Sequence, residues 1–471
     1  MPRRAPNIVL ISLDTQRADH LGCYGYGRPT SPFIDSLANR GVLFERFYSP
    51  NIPTHPGFTT MLTGKEAITH NIVNISSKGV LADGIRLLPE VLHDAGYHTV
   101  AVDTMGRHFS RGFDIYRSYE WDRSRPTRLP KAEAANAQAI PLLQEAARGD
   151  TPFFMFIHYW DPHTPYLPPP PYDRRFYPRT KDPRDKANTS MDPVWNFEPF
   201  RWYFHQWMPG VTDADYPIAQ YDGETAYLDR HLRDLFRAAR SSGIVDDTLF
   251  IINADHGEIL MEQEGQFDHH GLYEGNIHVP LVLYGPTWLP KGRRVPGFVQ
   301  QFDIAPTILE VCGVADTERM EGTSLLPCIY GIRDENYSEL YLSEATWELK
   351  RGVRTYRWKF IDSIEQDFHS RPMQELFDLE ADPTEQDNIA DKHPDVVAEL
   401  KRKLDSYLDR RLRETGRTVD PIREQGVAGT RIGQPKDEGL GRDWVPPVRS
   451  SRPQAAAIPS PDDLNAPKSQ Q

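Results

Sequence analysis

The chain has 471 residues, enough for one large α/β domain and a smaller second one. Its formal net charge of −13 excludes the broad basic face that nucleic-acid binding needs. Three cysteines, Cys23, Cys312 and Cys328, give neither a disulfide framework nor zinc-finger spacing.

The first apolar run, residues 8–13, is too short for a signal-peptide core and reads as a buried strand. No stretch reaches membrane-spanning length, so a cytoplasmic protein is expected. Further strand-like runs lie at residues 99–102, 153–158, 248–253 and 279–284. Helical patterns alternate with them at residues 31–40, 87–95, 132–147 and 224–241. That alternation predicts an α/β fold with a large, mostly parallel sheet flanked by helices. The expected catalytic domain is residues 1–325. Inside it, residues 165–207 are rich in Pro, Arg and aromatics, with little periodicity. They read as a lid-like insertion or as a loop on the surface. Short strands at 340–343, 353–355 and 359–361 and a charged amphipathic helix at 394–412 predict a small C-terminal α+β domain, residues 326–415. Residues 416–471 read as an extended or disordered tail.

In such sheets chemistry gathers at the carboxyl ends of the strands, where Asp14, His158 and Asp255 fall. Asp14 is well placed to ligate a metal. Asp255-His256-Gly257 can face one ion if the chain turns, which Gly257 permits. Pro56 suits the first turn of a helix, so Thr54 stands at an N-terminus whose amides and dipole favour an oxyanion. Read alone, Thr54 is an N-cap and Asp-His-Gly a loop. His158, on an apolar strand, reads as packed; His163 and His270, in polar turns, are better candidates.

Together these segments resemble the sulfatase family of the alkaline-phosphatase superfamily. The resemblance rests on Asn7 to Gly25, on Ser31 to Ala38 and on the segment ending Leu62-Thr63-Gly64. It continues through Asp222 to Asp229, Asp255-His256-Gly257 and Leu376 to Pro383 with Asn388, covering residues 7–412 in one order. It implies an alkaline-phosphatase-like sandwich and one divalent metal, with Mn2+ or Zn2+ ahead of Ca2+ or Mg2+. Asp14, Asp255 and His256 match metal ligands. Thr54 matches the nucleophile, which also touches the metal. His163 matches a histidine at the ester oxygens or leaving group. His270, or His269, falls where the family has a Lys or His beside the substrate. Arg107 and His108 fall near a Lys and His pair. Two-metal relatives imply a further option, a second ion on Asp161, His163 and His270.

Sulfatases proper carry Cys or Ser, any residue, Pro, any residue, Arg at the nucleophile. Here the segment is Thr54-His55-Pro56-Gly57-Phe58, and Thr cannot become formylglycine. Thr15 also stands where a second Asp is usual. Relatives with a plain Thr nucleophile include phosphodiesterases and phosphonate hydrolases. The resemblance therefore implies metal-dependent hydrolysis of phosphate diesters or phosphonate monoesters, small anionic esters, through a covalent Thr54 intermediate. Sulfate-ester hydrolysis by unmodified Thr54 and a non-catalytic, metal-free scaffold are the alternatives. Neither nucleic acid nor membrane is an expected partner, and a homo-oligomer stays open.

Overall fold

The computed structural model describes residues 5–75, 79–119, 130–264 and 267–428, so most of the expected tail lies outside the described residues. Thirteen strands are present among them: β1 (Asn7–Leu13), β2 (Val42–Tyr48), β3 (Asn51–Ile52), β4 (His98–Val102), β5 (Ile115–Arg117), β6 (Phe153–Tyr159), β7 (Thr248–Asn253), β8 (His278–Tyr284), β9 (Arg293–Gln300), β10 (Glu339–Glu344), β11 (Lys350–Thr355), β12 (Trp358–Ser363) and β13 (Gln374–Asp378). Eight form one sheet in the order β5-β4-β6-β1-β7-β8-β2-β9. β8 runs against both of its neighbours and the other pairs are parallel, so the sheet is mixed.

β1, β6 and β7 are buried on both faces, as their unbroken apolar runs require. Their register puts Ser12 opposite both His158 and Asn253, so these three strands end level. Side chains just past those ends therefore meet at one edge. Apolar clusters cover the two faces, one with Phe58 and Leu62, the other with Leu228 and Leu232 from the helix Asp215–Ser241.

The second sheet has the order β13-β12-β11-β10-β3. β10 to β13 form an antiparallel meander, covered by Leu400 and Leu404 of the helix Pro394–Thr415. β3 pairs parallel with β10, so the residues just before Thr54 belong to this second sheet.

Residues 165–207 are more regular than their sequence predicts. They hold the helices Asp192–Asn196 and Glu198–Trp207. Phe200, Tyr203 and Phe204 recur at helical spacing and join Tyr166, Trp195, Phe267 and Phe368 in one apolar cluster. Among the described residues, no helix is long and apolar enough to cross a membrane.

Candidate active site

Asp14 follows β1 directly, and its amide donates to Tyr159 O at 2.9 Å, which keeps it level with the end of β6. Thr15 turns the chain with a φ of 57°, and its amide donates to Asp255 Oδ1 at 3.2 Å. Asp14, Asp255 and His256 are fully buried, with one ligand atom of each within 4.8 Å of the others. Among the described residues, Asp14 Oδ1 and Asp255 Oδ2 have no hydrogen-bond partner. Two neighbouring buried carboxylates are costly without a cation. Burial first, then the charge of Asp255, pushes Asp14 up to about 6. Orphaned carboxylate oxygens beside an imidazole are a donor set that fits a divalent metal.

His256 Nδ1 donates to Gly257 O at 2.8 Å, an assignment fixed by the carbonyl acceptor, so Nε2 keeps its lone pair. That Nε2 lies 3.3 Å from Asp255 Oδ2 and 3.1 Å from Thr54 Oγ1. Gly257 serves close packing rather than the expected turn: a Cβ there would meet Gly275 O at 1.9 Å.

Thr54 opens the helix Thr54–Thr63 and is 6% exposed. Gly57 N makes a helical bond to Pro53 O at 2.9 Å, and the helix start before it faces the site with its dipole. Asn51, in β3, ties the helix to the neighbouring strand β10 of the second sheet. Its Oδ1 accepts from Ser343 Oγ at 2.7 Å, and its Nδ2 donates to Thr60 Oγ1 at 3.1 Å. Phe58, which replaces the expected arginine, packs edge-on against His158, Phe109 and Phe156.

His158 does more than the packing expected of it. Its Nε2 faces Asp14 Oδ2 at 3.0 Å and its Nδ1 faces Asp103 Oδ1 at 2.9 Å. Burial opposes its charge, yet the bonds to Asp103 and Asp14 win and push it up to about 10. Asp103 carries no motif of its own and reaches the site only through the pairing of β4 with β6.

The adjacent histidines His269 and His270 point to different neighbourhoods. The His269 ring lies 4.6 Å from that of His256 and 5.2 Å from that of His163. Its Nδ1 meets Glu258 Oε1 at 3.3 Å and lies 3.7 Å from Asp268 Oδ1. Burial works against protonation, but Asp268 and then Glu258 push His269 up to about 10. His163 Nδ1 donates to Thr164 O at 2.6 Å, and burial, then the neighbouring His269, holds it well below its ordinary range. His270 instead turns its Nε2 to His369 Nε2 at 2.8 Å. Of the two options, His269 is the one beside His256.

The donors expected for a second ion do not converge. Asp161 is buried 3.7 Å from Lys131 Nζ, which also pairs with Glu224. Burial pushes Asp161 well above the carboxylate range. His163 is in neither of the two potential metal groups among the described residues, and His270 belongs to the one away from Asp14. Arg107 and His108 flank the helix Thr54–Thr63 rather than the carboxylates. His108 Nε2 meets Thr59 Oγ1 at 2.9 Å. Arg107 is exposed; burial first, then Arg107, lowers His55 to about 3 and His108 to about 4. The three cysteines are free and none is in this helix.

The sulfatase family profile matches residues 6–314, and that of the N-sulphoglucosamine sulphohydrolase C-terminal region matches residues 262–410. An ulvan-active sulfatase of Formosa agariphila is 26% identical over 443 residues, 85% of this chain and 78% of that protein. Arylsulfatase K of Xenopus laevis is 31% identical over 202 residues, where the match spans 41% of this chain and 37% of that protein. The fold matches the crystal structure of a phosphonate monoester hydrolase of Agrobacterium radiobacter, with a TM-score of 0.69 and 22% identity over 86% of this chain and 96% of the other.

Proposed function

The chain belongs to the sulfatase family, and we propose that it hydrolyses phosphate diesters or phosphonate monoesters through a covalent ester on Thr54. The observation that carries this reading is Thr54 Oγ1, 3.1 Å from His256 Nε2 at the Asp14, Asp255 and His256 centre. Sulfatase-family enzymes bind a divalent metal. Asp14, Asp255, His256 and Thr54 Oγ1 would hold it, and once bound it would supply Lewis-acid stabilisation and ease ionisation of the threonine hydroxyl.

The rest falls to the protein's own groups. Thr54 Oγ1 bonds to the central atom while the bond to the leaving oxygen breaks, and that oxygen takes up a proton. His269, flanked by Asp268 and Glu258, keeps its proton and offers a donor to the non-bridging oxygens. His163 commits Nδ1–H to Thr164 O, so its Nε2 can accept a proton from the water that attacks in the second step. That attack forms the product acid and breaks the Thr54 ester, and the threonine oxygen recovers its proton. A formylglycine hydrate expels sulfate through a second hydroxyl on the same carbon. Threonine has no such hydroxyl, so water must attack the central atom, which is routine for phosphoryl enzymes.

Sulfate-ester hydrolysis by the same Thr54 is the second reading, favoured by the match to an ulvan-active sulfatase over 85% of the chain. A turnover panel separates the two. It compares a bis-aryl phosphate, an aryl phosphonate monoester, an aryl phosphate monoester and an aryl sulfate, each with manganese, zinc or chelator. Chelator-sensitive preference for the diester or phosphonate is the expected result. Preference for the sulfate would overturn the phosphorus reading.

A further inference from the structure

A second set of buried donors lies apart from Asp14. His270 follows the bridge between Ile259 and Asp268, Glu348 sits in the turn between β10 and β11, and His369 lies between β12 and β13. One ligand atom from each lies within 4.8 Å of the others, and exposures are 0%, 1% and 4%. The two imidazoles meet Nε2 to Nε2 at 2.8 Å. Two neutral rings can share one N–H there, and two charged rings would repel. A cation accepting both lone pairs and a carboxylate oxygen resolves the encounter.

Three further observations favour an ion. Around Lys350 and Arg371 lie three ion-paired buried carboxylates, Glu348, Asp367 and Glu375, so the carboxylates outnumber these cations by one. Among the described residues, the buried Glu344 Oε1 has no hydrogen-bond partner. The rings are also held in place. Phe197 stacks on His369 at 4.6 Å and Phe200 on His270 at 5.7 Å, which supplies an apolar wall. Asp268 Oδ1 lies 3.6 Å behind His270 Nδ1, where a carboxylate orients a metal-binding imidazole.

We propose that His270, Glu348 and His369 bind a divalent transition metal, zinc by the chemistry of two imidazoles and one carboxylate, that clasps the loop carrying His269 to the second sheet. The site is independent of the reaction assigned to Thr54.

The test is elemental analysis of the full chain, stripped with chelator, reloaded with zinc and desalted. About two zinc ions per chain are expected for the unaltered protein, and about one each for His369→Gln and for Asp14→Asn/Asp255→Asn. Adding His369→Gln to that pair of changes should remove the remaining ion and its zinc-dependent rise in Tm. If His369→Gln holds as much zinc as the unaltered protein, the site is refuted. Should His369→Gln fail to fold, Asp14→Asn/Asp255→Asn decides alone: retained zinc supports the site and none overturns it. Loss of zinc from Asp14→Asn/Asp255→Asn with no loss of turnover would count against the Thr54 reading alone.

Discussion

Asp14 follows β1 and Asp161 follows β6, two paired parallel strands, and both carboxylates are buried. Asp14 looks onto His158, His256 and a second carboxylate, Asp255. Asp161 looks onto Lys131, an ammonium carried by the chain itself, with Glu224 on its far side. A strand end makes a buried carboxylate available, and residues from distant segments decide its use. Beside imidazoles and another carboxylate it needs a cation from outside; beside a lysine already paired with Glu224, burial favours the neutral acid instead.

The widest separation comes from removing the proposed nucleophile beside one of these carboxylates. Thr54→Ala is expected to lower kcat by about 10⁴-fold or more, the scale seen when a nucleophile is removed, with circular dichroism and melting unchanged. Activity near that of the unaltered protein would remove Thr54 from the chemistry. Asp14→Asn should cut bound metal and turnover together, by roughly 10²-fold or more in rate. Asp161→Asn should leave metal content and turnover intact, because burial favours the neutral acid at Asp161, which the amide resembles, and Lys131 keeps Glu224. If Asp161→Asn depleted the metal as Asp14→Asn does, the contrast between the two strand ends would collapse.

A smaller effect is expected one step back. His158 holds Asp14 from behind and is itself held by Asp103. His158→Gln should weaken metal affinity or turnover by about 10–100-fold, the usual cost of losing such support. A change confined to melting temperature would make His158 a packing residue after all.

Asp14, Thr54, Asp255 and His256 each sit at a strand end or a helix start, and the family resemblance singles them out, since alone Thr54 reads as an N-cap and Asp-His-Gly as a loop. The choice between His269 and His270 could not be read from the chain. Neighbouring residues in a loop point in different directions, and Gly271, with φ 88°, follows them without fixing either. Asp103 stayed hidden because its link to Asp14 runs through β4, β6 and His158. The five core strands showed as apolar runs, whereas β2, with Glu45 and Arg46 amid a register shift, and β9, with Pro296, broke that pattern. Helix Glu198–Trp207 was masked by the prolines and arginines around it, although its aromatic spacing is helical. Glu348 and His369 lie far along the chain from His270, and only the folded second sheet unites them.

The finest distinction concerns the other flank of the helix Thr54–Thr63, where Asp103 does not offset burial and the cations around His55. Burial, then Arg107 and His108, lowers His55 to about 3, against 6.5 when free. Above pH 6.5 the residue is neutral folded and unfolded, and contributes no pH dependence. As pH falls toward 3, the unfolded chain takes up a proton that the folded one refuses, so stability is lost across that window. His55 is half-buried, and solvent screening reduces the effect to roughly 1–2 kcal/mol. His55→Gln should therefore flatten the fall in Tm between pH 6.5 and 3 while leaving the Tm at pH 8 nearly unchanged. An equally steep acid limb in the variant would show that burial and the neighbouring cations do not keep a proton off His55 in the fold.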